Sequence, residues 1–131
     1  MYKAVKLGLV DVTRSVQIGI RTECDDYLGM PYIDAREVHE KGAAYVVDKV
    51  KKIVGASPTY VTFDIDALDP AFAPGTGTPV WGGLASWQTA AILRDLAGIN
   101  CVGGDVVEVS PPYDSGNVTA VAGAHVAMEL C

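Results

Sequence analysis

The residues best suited to chemistry in this chain crowd into one short stretch, Asp64-Ile65-Asp66-Ala67-Leu68-Asp69-Pro70. Residues i and i+2 of an extended strand share a face, so Asp64 and Asp66 are expected to set two carboxylates side by side. Like charges that close push one pKa up unless a cation neutralises them. Hard oxygen donors suit Mg²⁺ or Mn²⁺, and the C-terminal end of a parallel strand is where open α/β sheets keep their ligand sites. Taken alone, the pair reads equally well as part of a divalent-metal site or as ordinary strand-end and turn aspartates. Asp69, directly before Pro70, reads as turn punctuation rather than a ligand.

The elements that must position these carboxylates follow from periodicity. Tyr60-Val61-Thr62-Phe63 is β-branched and aromatic, a buried strand that runs into the aspartates. Ala67 to Gly83, with Pro70, Pro74 and Pro79 and four glycines from Gly75 onward, predicts a long ordered loop of the kind that tends to be functional. Upstream, Ser15 to Arg21 alternates as a strand, and a polar loop through Asp25, Asp26 and Gly29 follows. The Asp34/Glu37 spacing predicts a capping box opening one helix from Ala35 to Val54, closed by Gly55. Downstream, Ser86 is expected to cap a helix to about Leu96, Ile99 to Val109 to form a strand, and Asn117 to cap a terminal helix. Strands alternating with helices imply a mostly parallel sheet and the α/β class.

A chain of 131 residues is sized for one domain. A net charge of −6, with no basic cluster, disfavours nucleic acid or an anionic membrane as partner. No apolar run is long enough to span a bilayer, and the Met1 region, broken by Gly8 and Asp11, does not read as a signal peptide. Cys24, Cys101 and Cys131 form no pairing pattern, which points to a reducing, cytoplasmic setting; Cys101 is expected to be a small buried hydrophobe. His39 is expected on the surface and His125 packed or partly exposed on the last helix.

Other chemistries that end a strand in aspartate do not fit. The G-x-x-x-x-G-K-[ST] partner of a Walker B strand is absent, and Ala67-Leu68 departs from the D-x-D motif of haloacid-dehalogenase-like phosphatases. Instead, Phe63-Asp64-Ile65-Asp66-Ala67-Leu68-Asp69-Pro70-Ala71-Phe72-Ala73-Pro74-Gly75-Thr76-Gly77-Thr78-Pro79, followed by Gly82-Gly83-Leu84, closely resembles the signature of the ureohydrolases. That family includes arginase, agmatinase and guanidinobutyrase. Ser15 to Arg21 and Gly104-Asp105-Val106-Val107-Glu108-Val109 resemble it too, and the Ala73 to Pro79 wording is nearer agmatinase than arginase.

The resemblance implies an arginase-like three-layer α/β/α fold, of which residues 1–131 would be the C-terminal part. It also implies hydrolysis of a guanidino compound to urea and an amine by a hydroxide held between two Mn²⁺ ions. By that resemblance Asp64 and Asp66 are metal ligands and Glu108 pairs with the substrate guanidinium. Agmatine, giving putrescine and urea, is the first expected substrate and 4-guanidinobutyrate the second. The family's G-G-D-H and D-A-H-x-D segments and its catalytic histidine segment have no counterpart here. The expectation is therefore a chain incomplete for catalysis, working as a homo-oligomer or with the missing N-terminal part. A non-catalytic homologue acting as an assembly or regulatory partner is the alternative.

Overall fold

Helix formation is clearest at Ala35–Val54 (α2), the longest element. Asp34 caps it, its Oδ1 accepting the Glu37 N–H at 2.6 Å. The reciprocal half of the expected capping box does not form. The Glu37 carboxylate instead accepts from the Tyr45 hydroxyl at 2.5 Å and from Lys41 and Lys49 at 3.2 and 3.3 Å. Cationic donors on the same helix outcompete a backbone amide for a charged acceptor. At Gly42 (φ 78°, ψ 171°) the helical geometry is interrupted, a backbone state open to glycine and costly for other residues. Val38, Val46, Val47, Val50 and Val54 on its inner face join Ile33, Ile65, Leu68, Leu84 and Ile92 in the core. Each such side chain contributes roughly 1.5–3 kcal/mol on full burial.

The computed structural model describes residues 1–23 and 26–131, so Cys24 and the Asp25 position of the expected polar loop lie outside the described residues. A short helix, Tyr2–Lys6 (α1), precedes two parallel strands, Gln17–Ile20 (β1) and Tyr32–Asp34 (β2). The second of these was not expected, because three residues are too few to display a period. A second parallel pair joins Thr59–Asp64 (β3) to Cys101–Val107 (β4), with Asp64 level with Val107. Between them runs the helix Ser86–Asp95 (α3), and Val118–Glu129 (α4) closes the chain. Helix α2 packs on β1, β2 and α3, α3 packs on α4, and α4 packs on β4.

Two capping expectations need correction. Ser86 is the first residue of α3 rather than its cap, and Gln88 Oε1 accepts the Ala85 N–H at 3.0 Å. Asn117 is left-handed (φ 60°) and contributes no capping bond. Asp114 caps α4 in its place, with its two oxygens accepting from Thr119 and Ala120 N–H at 2.9 and 2.8 Å. A carboxylate aimed at the helix N-terminus also gains from the helix dipole.

Along β3 and β4 the side chains alternate. Val61, Phe63, Gly104 and Val106 face α4, whereas Tyr60, Thr62, Asp64, Gly103, Asp105 and Val107 share the opposite face. That face carries the exposed Tyr60, whose hydroxyl donates to Asp105 Oδ2 at 3.0 Å. Cys101 lies on it as well and is exposed, contrary to expectation, because it is on the face opposite the one that packs on α4. The strands approach closely at Gly104, where a Cβ would sit 2.8 Å from the Val61 carbonyl oxygen.

Candidate functional site

Strand β3 ends at Asp64, and the chain turns at once into a single 3-10 turn, Ile65–Ala67. Asp64 and Asp66 are therefore not neighbours on one extended strand. The turn, anchored by the fully buried Ile65, folds Asp66 back so that its N–H donates to Asp64 Oδ1 at 3.1 Å. Thr78, far along the same loop, donates its hydroxyl to Asp66 Oδ2 at 2.9 Å.

Glu108 enters from the next strand, one residue beyond Val107, which is level with Asp64. Its φ of 65° is a left-handed state that a side-chain-bearing residue adopts at a cost, a form of strain that clusters at functional sites. Two residues on, Ser110 donates its N–H to the Gly75 carbonyl at 2.8 Å, and the Gly75 N–H donates to Thr119 Oγ1 at 2.7 Å. Gly75 sits so close to this junction that a Cβ would lie 2.5 Å from Asp114 Cβ. Open space surrounds Gly77, so the demand for glycine falls on Gly75 alone.

The structure thus brings Asp64, Asp66 and Glu108 to one end of the β3–β4 pair. The electrostatics follow from that grouping: the Asp64 carboxyl is pushed up to about 6 by partial burial, reinforced by the negative charges of Asp66 and Glu108. None of the three takes part in an ion pair between described residues. Nearby Asp69 differs in kind. It is held below the ordinary carboxylate range by the Ala71, Gly82 and Gly83 N–H groups, and so is loop scaffolding, as its place before Pro70 suggests.

A carboxyl of raised pKa beside two further acids, with no ion-pair partner among the described residues, offers oxygen donors that suit a hard divalent cation. Among the described residues, however, no three His, Cys, Asp or Glu side chains are arranged to hold a metal ion together. The two aspartates fit such an ion as part of its ligand set.

His39 and His125 lie apart from the cluster. His39 is exposed yet anchored, its Nε2 lying 3.2 Å from the Gly82 carbonyl and its Nδ1 3.3 Å from Gln88 Nε2. The second bond had no signature in sequence because it joins α2 to α3. His125 lines a groove of about 320 Å³ between α3 and α4, with Thr89, Leu93, Arg94 and Val126, away from the aspartates. Trp81 and Trp87 are exposed. No helix among the described residues is long and apolar enough to cross a membrane.

Comparison with known proteins gives the chain its relatives. Residues 1–131 match the Arginase family. An agmatinase of Chromobacterium violaceum is 53% identical over 129 residues, covering 98% of this chain and 40% of that protein. One from Escherichia coli is 54% identical, covering 98% of this chain and 42% of that protein. Among solved structures, a hypothetical agmatinase from Burkholderia thailandensis superposes with a TM-score of 0.96 at 60% identity, covering 98% of this chain and 41% of that one. The proclavaminate amidino hydrolase of Streptomyces clavuligerus gives 0.93 at 42% identity, covering 98% and 44%. The chain spans about two fifths of the length of the curated relatives it matches. Its sequence and its α/β fold agree: the chain belongs to the arginase family.

Proposed function

We propose that this chain supplies the metal-binding and guanidinium-binding carboxylates of an agmatinase-type ureohydrolase site, as the C-terminal part of that domain. The observation that carries the reading is the convergence of Asp64, Asp66 and a strained Glu108, with the Asp64 carboxyl pushed up to about 6 and no ion pair to any of the three among the described residues. In this reading Asp64 and Asp66 would hold Mn²⁺. The metal's contribution when bound is to lower the pKa of a coordinated water, giving a nucleophile at neutral pH.

Glu108 orients the planar substrate cation by charge-assisted hydrogen bonds from the guanidinium nitrogens. Its fixed backbone and the Ser110–Gly75 bond behind it hold that carboxylate in place before substrate arrives. Thr78, by donating to Asp66 Oδ2, orients that carboxylate. Two carboxylates alone hold a divalent cation weakly, so further ligands come from outside these residues, through association with an N-terminal segment or within a homo-oligomer. Agmatine is the proposed substrate, in keeping with the agmatinase relatives, and 4-guanidinobutyrate the second candidate. Free thiols at Cys101 and Cys131 suit a reducing cytoplasm, the proposed compartment.

The experiment is urea release from agmatine with added Mn²⁺, using the chain alone and mixed with the N-terminal portion of an agmatinase relative. Turnover only in the mixture, abolished by Glu108→Gln, is the expected result. Turnover by the chain alone would overturn its incompleteness, and turnover in the mixture unaffected by Glu108→Gln would overturn the role of Glu108.

A further inference from the structure

Arg21 directly follows β1 and is half-buried, yet it forms no ion pair with a described carboxylate. A guanidinium withdrawn from water needs acceptors, and here they are carbonyl oxygens of the loop that follows β3. Nη2 donates to Asp66 O at 2.6 Å and to Val80 O at 2.7 Å, with Leu68 O at 3.4 Å. Nε donates to Val80 O at 3.0 Å, and Nη1 reaches back to Gly19 O at 3.4 Å. One cation thereby ties both ends of a long irregular loop to the end of β1.

Asp69 supplies the opposite polarity. Its Oδ2 accepts the Gly82 and Gly83 N–H groups at 2.8 and 3.2 Å, and its Oδ1 the Ala71 N–H at 2.9 Å. The backbone is drawn so close that a Cβ on Gly83 would lie 2.5 Å from the Asp69 nitrogen. The loop is stapled on both sides, its carbonyls by Arg21 and its amides by Asp69. Only the Arg21 side touches a residue of the acid cluster.

We propose that Arg21 is a positioning residue for Asp66, fixing the backbone of that aspartate, and through Val80 the loop that carries Thr78, so that the carboxylate is preset for a divalent cation. The cation-holding part of this claim rests on the function proposed above; the fixing of the loop does not. Lysine is a partial substitute, since one ammonium can donate to Asp66 and Val80 as Nη2 does but cannot supply the further Nε and Nη1 bonds to Val80 and Gly19.

The test uses the full chain and two readouts: Mn²⁺ affinity, from loss of the free-ion electron paramagnetic resonance signal, and amide hydrogen exchange without metal. Arg21→Met should weaken Mn²⁺ binding about 10-fold, the scale on which groups behind a metal ligand act. It should also speed exchange across residues 66–83 selectively. Arg21→Lys should recover part of both, and Arg94→Met, which removes only the exposed pair with Glu129, should change neither. Wild-type affinity and exchange in Arg21→Met would overturn the proposal, as would exchange accelerated throughout the chain. If Arg21→Met does not fold, Arg21→Lys decides by the same criteria. If the wild-type chain takes up no Mn²⁺, the metal reading of the aspartates falls, and selective or unchanged exchange alone supports or overturns the fixing of the loop.

Discussion

Two carboxylates in this molecule are perturbed in opposite directions, and the contrast separates structure from function. Glu37 on α2 is held at about 2, chiefly by the Tyr45 hydroxyl and then by Lys41 and Lys49. Asp64 at the end of β3 is pushed up to about 6 by burial and by the neighbouring charges of Asp66 and Glu108. The first acid has its counter-charges on its own helix, so its needs are met inside the chain. The second is packed against two more acids while the nearby guanidinium of Arg21 is committed to backbone carbonyls. Concentrated charge of that kind is relieved by protonation or by a cation from outside, and carboxyls perturbed in this way cluster at functional sites.

The largest effect expected from disturbing this arrangement comes from Gly75→Ala. The added methyl would overlap Asp114 and the capped start of α4, and overpacking of this kind typically costs ~1–3 kcal/mol. Denaturant unfolding should show that loss, and Gly77→Ala, facing open space, should escape it. Next in size is metal linkage. Mn²⁺ at ten times its dissociation constant should stabilise the wild-type chain by about 1.4 kcal/mol in a thermal melt, and Asp66→Asn by nothing measurable.

Acidity should distinguish the two carboxylates by sign in metal-free buffer. Asp64 has a raised folded-state pKa, so its contribution is fully present below its unfolded value of 3.8 and is lost as pH rises through about 6. Glu37 has a depressed one, so its contribution is present above 4.5 and is lost as pH falls toward about 2. Stability measured from pH 2 to 7 should lose the upper slope in Asp64→Asn and the lower slope in Glu37→Gln. The smallest effect is expected from Arg36→Met, which removes an exposed pair with Glu40 and should leave the unfolding midpoint unchanged within the precision of the measurement.

Much of the scaffold was legible before the structure because it is encoded locally. The bounds of α2 follow from Asp34, a run of valines at helical spacing and Gly55, all within one stretch of chain. What escaped sequence was set by distant partners. Asp114 displaced Asn117 as the cap of α4 because its backbone is pinned beside Gly75, and Cys101 is exposed because it lies on the face of the β3–β4 pair opposite α4.

The candidate site divides in the same way. Asp64, Asp66 and Glu108 were found from residue type and family resemblance, and the first two were wrongly expected on one straight strand. The Arg21 bonds to Asp66 and Val80 span 45 and 59 residues, and nothing in a local pattern reports such a pairing. Only the alternating stretch from Ser15 to Arg21, which shares the family resemblance, hinted that this segment matters.

The claim at the centre of this account is that the acids at the end of β3, unlike those on α2, are built for a cation the chain does not itself provide. Calorimetric titration of Mn²⁺ at pH 7 into the wild-type chain, Asp64→Asn and Glu37→Gln tests it directly. The account predicts uptake by the wild type and by Glu37→Gln and none by Asp64→Asn. Equal uptake by all three, or none by the wild type, would contradict it.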